Sequence, residues 1–272
     1  MKKFLALVLA ALMVFAFVAC NGTGKDNNGA SNASDTSDTS DTTEKATLVM
    51  ATNAAFPPYE YKEGESFAGI DVEIAGKIAE KLGMTLEIKD VEFGSIIGGV
   101  QTGKFDIGMA GMTVTDERLK SVNFSDSYAT GIQVVIVKAD SEIKSLDDLK
   151  GDGSMKFGVQ QDTTGDIYAS DTIENGGYGK DNVVRYKTGA DAVQALKTGK
   201  VDAVIIDNEP AKSFVSANEG LSILDGSWVE ENYAIAIAKE NKELLEKVNG
   251  ALKELIADGT VKAIIDKYIP AE

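Results

Sequence analysis

Two side chains of opposite charge follow two copies of one sequence phrase. The stretch "TGKFDIGMAGMTVTDER" begins at Thr102 and ends at Arg118, and "TGKVDAVIIDNEP" begins at Thr198 and contains Asp207. An arginine guanidinium is a planar fork of donors that fits a carboxylate, whereas an aspartate carboxylate suits an ammonium group. If both loops face one cleft, together they could hold the two charged ends of an α-amino acid.

The same loops allow other interpretations of these residues. Gly111 and Thr113 precede Arg118, and the threonine can add a hydroxyl to a carboxylate site. Arg118 could instead form a surface ion pair with an acidic neighbour in "TDER". Asp207 could instead cap the helix that follows it, which is a common role for aspartate. The repeated Thr-Gly-Lys-x-Asp could also be an ordinary turn between a helix and a strand.

Strand-like and helix-like segments alternate around both phrases. "ATLVMATN" predicts a strand, apolar residues at helical spacing from Asp71 predict a helix, and "FDIGMAG" predicts another strand. The pattern restarts with a strand at Gly131. "YAIAIAK" is expected to be one strand, and "FPPYEYKEGESFAG" a loop, because prolines exclude a helix. Loops at the carboxyl ends of strands are where open α/β sheets bind ligands, so two such units predict an α/β fold with a central cleft.

Composition removes several classes of chemistry. The 272 residues include no histidine and one cysteine, so Ser-His-Asp triads, Cys-His pairs and histidine-containing zinc sites are excluded. We therefore expect neither a metal nor a cofactor. The formal charge of −16 makes nucleic acid an unfavourable partner.

The amino-terminal segment predicts export. Lys2 and Lys3 precede an apolar run that is short for a membrane-spanning helix, and the run ends at Cys20. "FVAC" resembles the lipobox of bacterial lipoproteins, in which the cysteine is lipidated; a plain signal anchor or a buried structural cysteine are the alternatives. We expect a signal peptide over residues 1–20. The polar residues 21–46 are expected to form a flexible tether, because they cannot bury enough apolar surface to fold.

Several motifs in combination resemble the extracellular solute-binding proteins of ABC transporters for polar amino acids, the glutamine- and lysine/arginine/ornithine-binding group. The motifs are "FAGIDVEIAGKIAEKLG", "GKFDIGMAGMTVTDERLKSVNFSDSY", "VQQDTTGD", "GKVDAVIIDNEP" and "YAIAIAKENKELLEKVNGALKELIADGTVKAIIDKY". The resemblance covers about Thr47 to Tyr268. It implies a periplasmic-binding-protein-like fold, in which two mainly parallel sheets flanked by helices form two lobes with a cleft between them and two hinge crossings.

The resemblance also implies roles for single residues. Arg118 matches the arginine that clamps the α-carboxylate of the ligand, with help from Thr113 and Thr164. Asp207 matches the acid that holds the α-ammonium group, with the carbonyl of Gly111 as a second acceptor. These residues would form the head-group part of the site.

The remaining matched positions concern the ligand side chain. Phe56 and Phe93 match aromatic residues that sandwich it, and Asn53 and Gln160 match positions at its tip. Because both tip residues are neutral, the preferred ligand is glutamine-like. A basic amino acid comes second, since Asp162 could supply a negative charge if it points inward. An acidic ligand would lack a cationic partner there.

The expected mechanism is capture by closure of two lobes. The first lobe would comprise residues 47–130 and 233–272, and the second lobe residues 131–232, with ligand favouring the closed state. Asp71 is expected to support a loop structurally. The implied partners are an amino acid, a membrane permease with its ATPase, and lipid at Cys20, and we expect a monomer without enzyme activity. The alternatives are a cyclohexadienyl-dehydratase-like enzyme on the same fold, or a surface sensor or adhesion lipoprotein.

Overall fold

The computed structural model describes residues 46–226 and 228–270. The predicted signal peptide, the lipidation site at Cys20 and the predicted tether before Ala46 lie outside the described residues. The described strands are β1 (Thr47–Thr52), β2 (Ala55–Phe56), β3 (Glu60–Glu63), β4 (Ser66–Ala68), β5 (Thr85–Asp90), β6 (Ile107–Gly108), β7 (Val122–Phe124), β8 (Ala129–Lys138), β9 (Phe157–Gln160), β10 (Val183–Tyr186), β11 (Ala203–Asp207), β12 (Leu221–Ile223), β13 (Val229–Tyr233) and β14 (Ala236–Ala238).

The helices alternate with these strands, and short 3₁₀ turns occur between them. The described α-helices are α1 (Ile70–Lys81), α2 (Ile96–Gln101), α3 (Asp116–Ser121), α4 (Thr164–Ser170), α5 (Gly189–Lys197), α6 (Asn208–Ser216), α7 (Lys242–Ala257) and α8 (Thr260–Tyr268). The longest described helix, α7, has 16 residues, and no helix in the described part of the chain is long and apolar enough to span a membrane.

Two sheets organise the chain, and each is parallel except for one strand. The first sheet has the order β5-β1-β6-β14-β7, in which β14 runs antiparallel to both of its neighbours. The second has the order β10-β9-β11-β8-β12, and β8 runs antiparallel to β11, β12 and β13. The predicted fold class, two mainly parallel sheets with flanking helices, is confirmed.

The two sheets are joined by strands that pair with each other. The predicted crossings near residues 128–131 and 230–233 lie on β8 and β13, which pair antiparallel from Ala129 opposite Tyr233 to Gln133 opposite Val229. We call the parts of the chain that carry the first and the second sheet the first lobe and the second lobe. Their boundaries at residues 130/131 and 232/233 stay a prediction.

Two local expectations from the sequence were wrong. The stretch 56–69 was expected to be a loop, but β2, β3 and β4 form a small antiparallel sheet, since prolines exclude a helix and still permit a turn between short strands. "YAIAIAK" was expected to be one strand, but Tyr233 ends β13 in the second sheet and Ala236 begins β14 in the first. The run is buried on both sides of the point where the chain crosses between the sheets. Its apolar pattern therefore does not reveal the crossing.

Apolar faces of the helices cover the first sheet. Ile70, Ile74 and Ile78 recur at helical spacing on α1 and are fully buried. The helices α7 and α8 pack against α1 and contribute Leu252 and Val261 to the same core. Burial on both faces explains the apolar strands of this sheet, and it leaves the loops at the strand ends free to form a site.

Candidate functional site

A narrow cavity lies between loops of the two sheets. All ligand-site residues predicted from the sequence line it, together with three that were not predicted: Glu60, Ala110 and Thr163. The predicted lining residues are Asn53, Phe56, Phe93, Gly111, Thr113, Arg118, Gln160, Thr164 and Asp207. The structure therefore brings these residues together, while their individual ligand roles stay predictions.

Arg118 points into the interior from the first turn of α3. Thr115 begins this helix and accepts a hydrogen bond from the Arg118 backbone N–H, which fixes the turn. The guanidinium donates from Nη1 to the carbonyl of Thr113 at 2.7 Å and from Nη2 to the carbonyl of Asp162 at 3.1 Å. It also lies 5.3 Å from the ring centre of Phe93. The buried group is thus bound by carbonyl oxygens, and the alternative of a surface ion pair within "TDER" is not what the structure shows.

The buried guanidinium of Arg118 is hydrogen-bonded to carbonyl oxygens and not to a carboxylate. Removal from water disfavours the charged form and lowers the pKa of Arg118, although nearby carboxylates such as Glu231 and Asp207 partly compensate. Carbonyl dipoles satisfy donors without neutralising the charge. A carboxylate placed in the cavity would supply the missing negative charge.

Asp207 stands at the carboxyl end of β11, on the second sheet. It occupies the N-cap position of α6, but its side chain makes no capping hydrogen bond, so the alternative role as a helix cap is absent. The carboxylate instead accepts a hydrogen bond from the hydroxyl of Tyr233. Burial, followed by the charge of Glu231, raises the pKa of Asp207 to about 7. An ammonium group in the cavity would stabilise the ionised form.

Glu60 is the principal cavity residue that the sequence analysis missed. Its side chain on β3 is buried, with 1% of the residue exposed, and its carboxyl group faces the carboxyl group of Asp71. Burial, and then the neighbouring Asp71, hold the pKa of Glu60 well above its usual range. No sequence pattern indicated it, because "EYKE" is typical of a solvated stretch. Glu60 is the one buried residue of β3, at the position that pairs with Phe56.

Asp71 fixes the loop that carries Gly111. Its Oδ2 accepts the Gly111 N–H at 2.8 Å, and burial raises its pKa to about 7. Gly111 has φ 51°, and a Cβ there would lie 3.0 Å from the ring of Phe56, so both the backbone and the space require glycine. The expected structural role of Asp71 agrees with these contacts.

The opposite end of the cavity is closed by two amides. Gln160 on β9 donates from Nε2 to Oδ1 of Asn53 at 2.8 Å, and Asn53 donates to the carbonyl of Val91 at 2.8 Å. Thr163 caps α4 by accepting the N–H of Asp166, which places Thr164 at the start of the helix and in the cavity wall. The two lobes therefore touch across the predicted side-chain end of the site.

Asp162 is not part of the cavity lining. Its carboxylate lies beside Gly94 in an outer groove, and only its carbonyl reaches Arg118. The sequence-based possibility that Asp162 supplies a negative charge inside the site is therefore not supported by its position. In residues 46–226 and 228–270, no cluster of acidic side chains could hold a metal ion.

Comparison with known proteins places the chain in a family. Residues 48–271 match the model of bacterial extracellular solute-binding proteins, family 3. The chain belongs to this family. The arginine-binding extracellular protein ArtP of Bacillus subtilis (strain 168) is 35% identical over 275 residues, with 100% of both chains covered.

Solved structures support the same assignment. An ancestral arginine-binding protein bound to glutamine has a TM-score of 0.75 and 40% identity, covering 84% of this chain and 99% of that one. The ancestral amino acid-binding protein AncCDT-1, described as a precursor of cyclohexadienyl dehydratase, has a TM-score of 0.74 and 33% identity, covering 82% and 95%. The identification from sequence motifs as a family member is confirmed.

The raised pKa values predict an unusual pH dependence of stability. Between the ordinary aspartate pKa of 3.8 and about 7, folded protein retains protons on Asp71 and Asp207 that the unfolded chain releases. Their contribution to the free energy of unfolding is present at low pH and lost as pH rises through 7, on the order of 1 kcal/mol per pH unit for each group.

Urea unfolding of ligand-free protein at pH 5 to 8 should show this loss. Asp71→Asn should reduce the slope, whereas Asp140→Asn, at an exposed position, should leave it unchanged. Equal slopes in wild type and Asp71→Asn would contradict the prediction.

Proposed function

We propose that this chain binds an amino acid in the cavity as the extracytoplasmic substrate-binding protein of an ABC importer. The observation that carries the proposal is the joint burial of Arg118 and Asp207 in one cavity wall. Arg118 donates to two carbonyls and Asp207 accepts from a tyrosine hydroxyl, so an opposite charge is missing from the hydrogen bonds of each. The carboxylate and ammonium groups of a zwitterion supply both charges at once.

The ligand's side chain is proposed to be cationic. The sequence favoured a glutamine-like ligand, since Asn53 and Gln160 are neutral, but Glu60 adds a buried carboxyl group to the same cavity. A guanidinium or ammonium group would give this carboxyl a cationic partner and stabilise its ionised form. The arginine-binding name of the relative ArtP agrees with this class. Glutamine stays the second candidate, because an ancestral arginine-binding protein was solved with glutamine bound.

Capture is proposed to occur by closure of the two lobes. Arg118 and Glu60 belong to the first lobe and Asp207 to the second, so a bridging ligand favours the closed form. The closed, ligand-loaded monomer would then dock on a membrane permease whose ATPase supplies the energy. Binding without catalysis is favoured because the matched proteins are named for binding, including the precursor of an enzyme.

The head-group roles can be tested by calorimetry against the full set of protein amino acids. Wild type should bind a narrow group of them, and Arg118→Ala should weaken binding by about 30-fold or more, because the ligand carboxylate is left without its cation. Asp207→Asn should cause a similar loss at pH 8. The control is Lys253→Ala, which removes a positive charge at an exposed position of α7, outside the cavity lining. Tight binding by Arg118→Ala would refute the proposed orientation of the ligand.

The role of Glu60 in selectivity needs a comparison of two ligands. Glu60→Gln should lower the affinity for L-arginine by about tenfold or more, while L-glutamine binds as well as before or better, because only the cation loses a charged partner. Glu63→Gln, on the exposed part of the same strand, serves as the control and should change neither affinity. Parallel losses for both ligands would show that Glu60 acts only on the shape of the cavity.

We propose that the protein lies outside the cell membrane and is anchored to it through a lipidated Cys20. It is supported by the position of the only cysteine, at the end of a signal-like segment. When the full chain is expressed in a bacterium, wild type should fractionate with membranes and enter the detergent phase on Triton X-114 separation. Cys20→Ser should leave the membrane fraction. The same distribution for both proteins would exclude a lipid anchor at this residue.

A further inference from the structure

Asp162 has an unusual backbone conformation for a residue other than glycine. Among the described residues it is the one non-glycine residue with positive φ, at 65°. It follows β9 on the second lobe, and its backbone N–H donates to Oδ2 of Asp166 at 3.1 Å. Its carbonyl points at the first lobe and accepts a hydrogen bond from Nη2 of Arg118. Such backbone strain is retained only where surrounding contacts stabilise it.

Gly94 faces Asp162 from the first lobe. It lies in a 3₁₀ turn, Phe93–Ser95, and its φ is outside the left-handed region, so its backbone would accept other residues. A Cβ on Gly94 would lie 2.1 Å from Oδ2 of Asp162 and 3.0 Å from its Cγ. The same position would meet no closer obstacle from its own lobe. The side chain of the opposite lobe is therefore the reason that the structure supplies for glycine here.

The neighbouring contacts between the lobes are weaker constraints. Lys187 forms an ion pair with Glu92, two residues before Gly94, but both side chains are mostly exposed. Exposed ion pairs contribute little, because water and salt screen them. The carboxylate of Asp162, by contrast, lies directly against the backbone of Gly94, so a group added at Gly94 must either displace this side chain or separate the lobes. The contact of Asp162 with Gly94 is thus a close approach between the lobes at this edge of the cavity.

We propose that Asp162 is a positioning residue whose side chain, seated on Gly94, holds its carbonyl against Arg118 when the lobes close. The inference rests on the proposed function, because Arg118 is taken to bind the ligand carboxylate. The carbonyl orients the guanidinium from the opposite lobe, so closure and completion of the carboxylate site are one event. Ligand affinity then depends on a contact that the ligand does not touch, through the fraction of protein that can close.

A graded set of variants of the full chain tests this inference with L-arginine and L-glutamine as probes. Gly94→Ala should weaken binding by about fivefold and Gly94→Val by about 20-fold or more, because overpacking at the contact keeps the lobes apart. Gly98→Ala, on the adjacent helix α2, is the control, since a Cβ there would meet nothing within 4 Å. The urea midpoint of ligand-free protein should be unchanged by Gly94→Ala, because the contact lies between lobes.

Rescue is the decisive measurement. Glycine accepts the positive φ of residue 162 and removes the obstructing carboxylate, so Asp162→Gly combined with Gly94→Ala should restore affinity to that of Asp162→Gly alone. Wild-type affinity in Gly94→Ala, or a double variant as weak as Gly94→Ala, would overturn the inference.

The proposed function fails separately, if wild type binds neither probe. In that case small-angle X-ray scattering of the ligand-free proteins gives the answer for the contact. The radius of gyration should be larger for Gly94→Val than for wild type and return to the wild-type value with Asp162→Gly. An unchanged radius would overturn the role of the contact.

Discussion

A buried guanidinium held by carbonyl oxygens of two lobes is the interaction on which this structure depends. One carbonyl belongs to Thr113 in the loop of the first sheet, and the other to Asp162 in the loop of the second. Neither carbonyl can neutralise the charge, and the carboxylates of Glu231 and Asp207 compensate it only in part, so a bound anionic group would stabilise the guanidinium. In the proposed mechanism this charge would couple ligand binding to lobe closure, because Arg118 donates to one carbonyl of each lobe.

The fold supplies rigid support for each side of that interaction. Asp71 on α1 accepts the backbone N–H of Gly111 and so holds its loop, and the antiparallel pair of β8 and β13 connects the two sheets. Tyr233 ends β13 and donates its hydroxyl to Asp207. A residue of the connecting strands thus contacts Asp207, the proposed partner of the ligand ammonium group, directly. Bending of these strands would change the position of Asp207 relative to Arg118, which makes them suited to transmit closure.

Much of this arrangement could be predicted from sequence, for a physical reason. A helix, a glycine and a short apolar strand recur in both halves. The loop after such a strand lies at the carboxyl edge of its sheet, where open α/β sheets bind ligands. Arg118 and Asp207 were therefore found by spacing and residue type. Glu60 was not, because its burial depends on a small sheet that no periodicity in "FPPYEYKEGESFAG" reveals. The direction of the Asp162 side chain was also beyond the sequence, since it depends on a contact with the other lobe.

The charges around the cavity are the physical reason for proposing a cationic ligand rather than a neutral one. Burial raises the pKa values of Asp207 and Asp71 to about 7 and holds the pKa of Glu60 well above its usual range. Arg118 is the single guanidinium facing these acids in the described cavity lining. A zwitterion adds no net charge, so the acidic excess would persist in the closed form and favour protonated carboxyl groups. A third ligand charge, positive and near Glu60, converts that excess into binding energy, because each buried carboxylate then gains a partner instead of a proton.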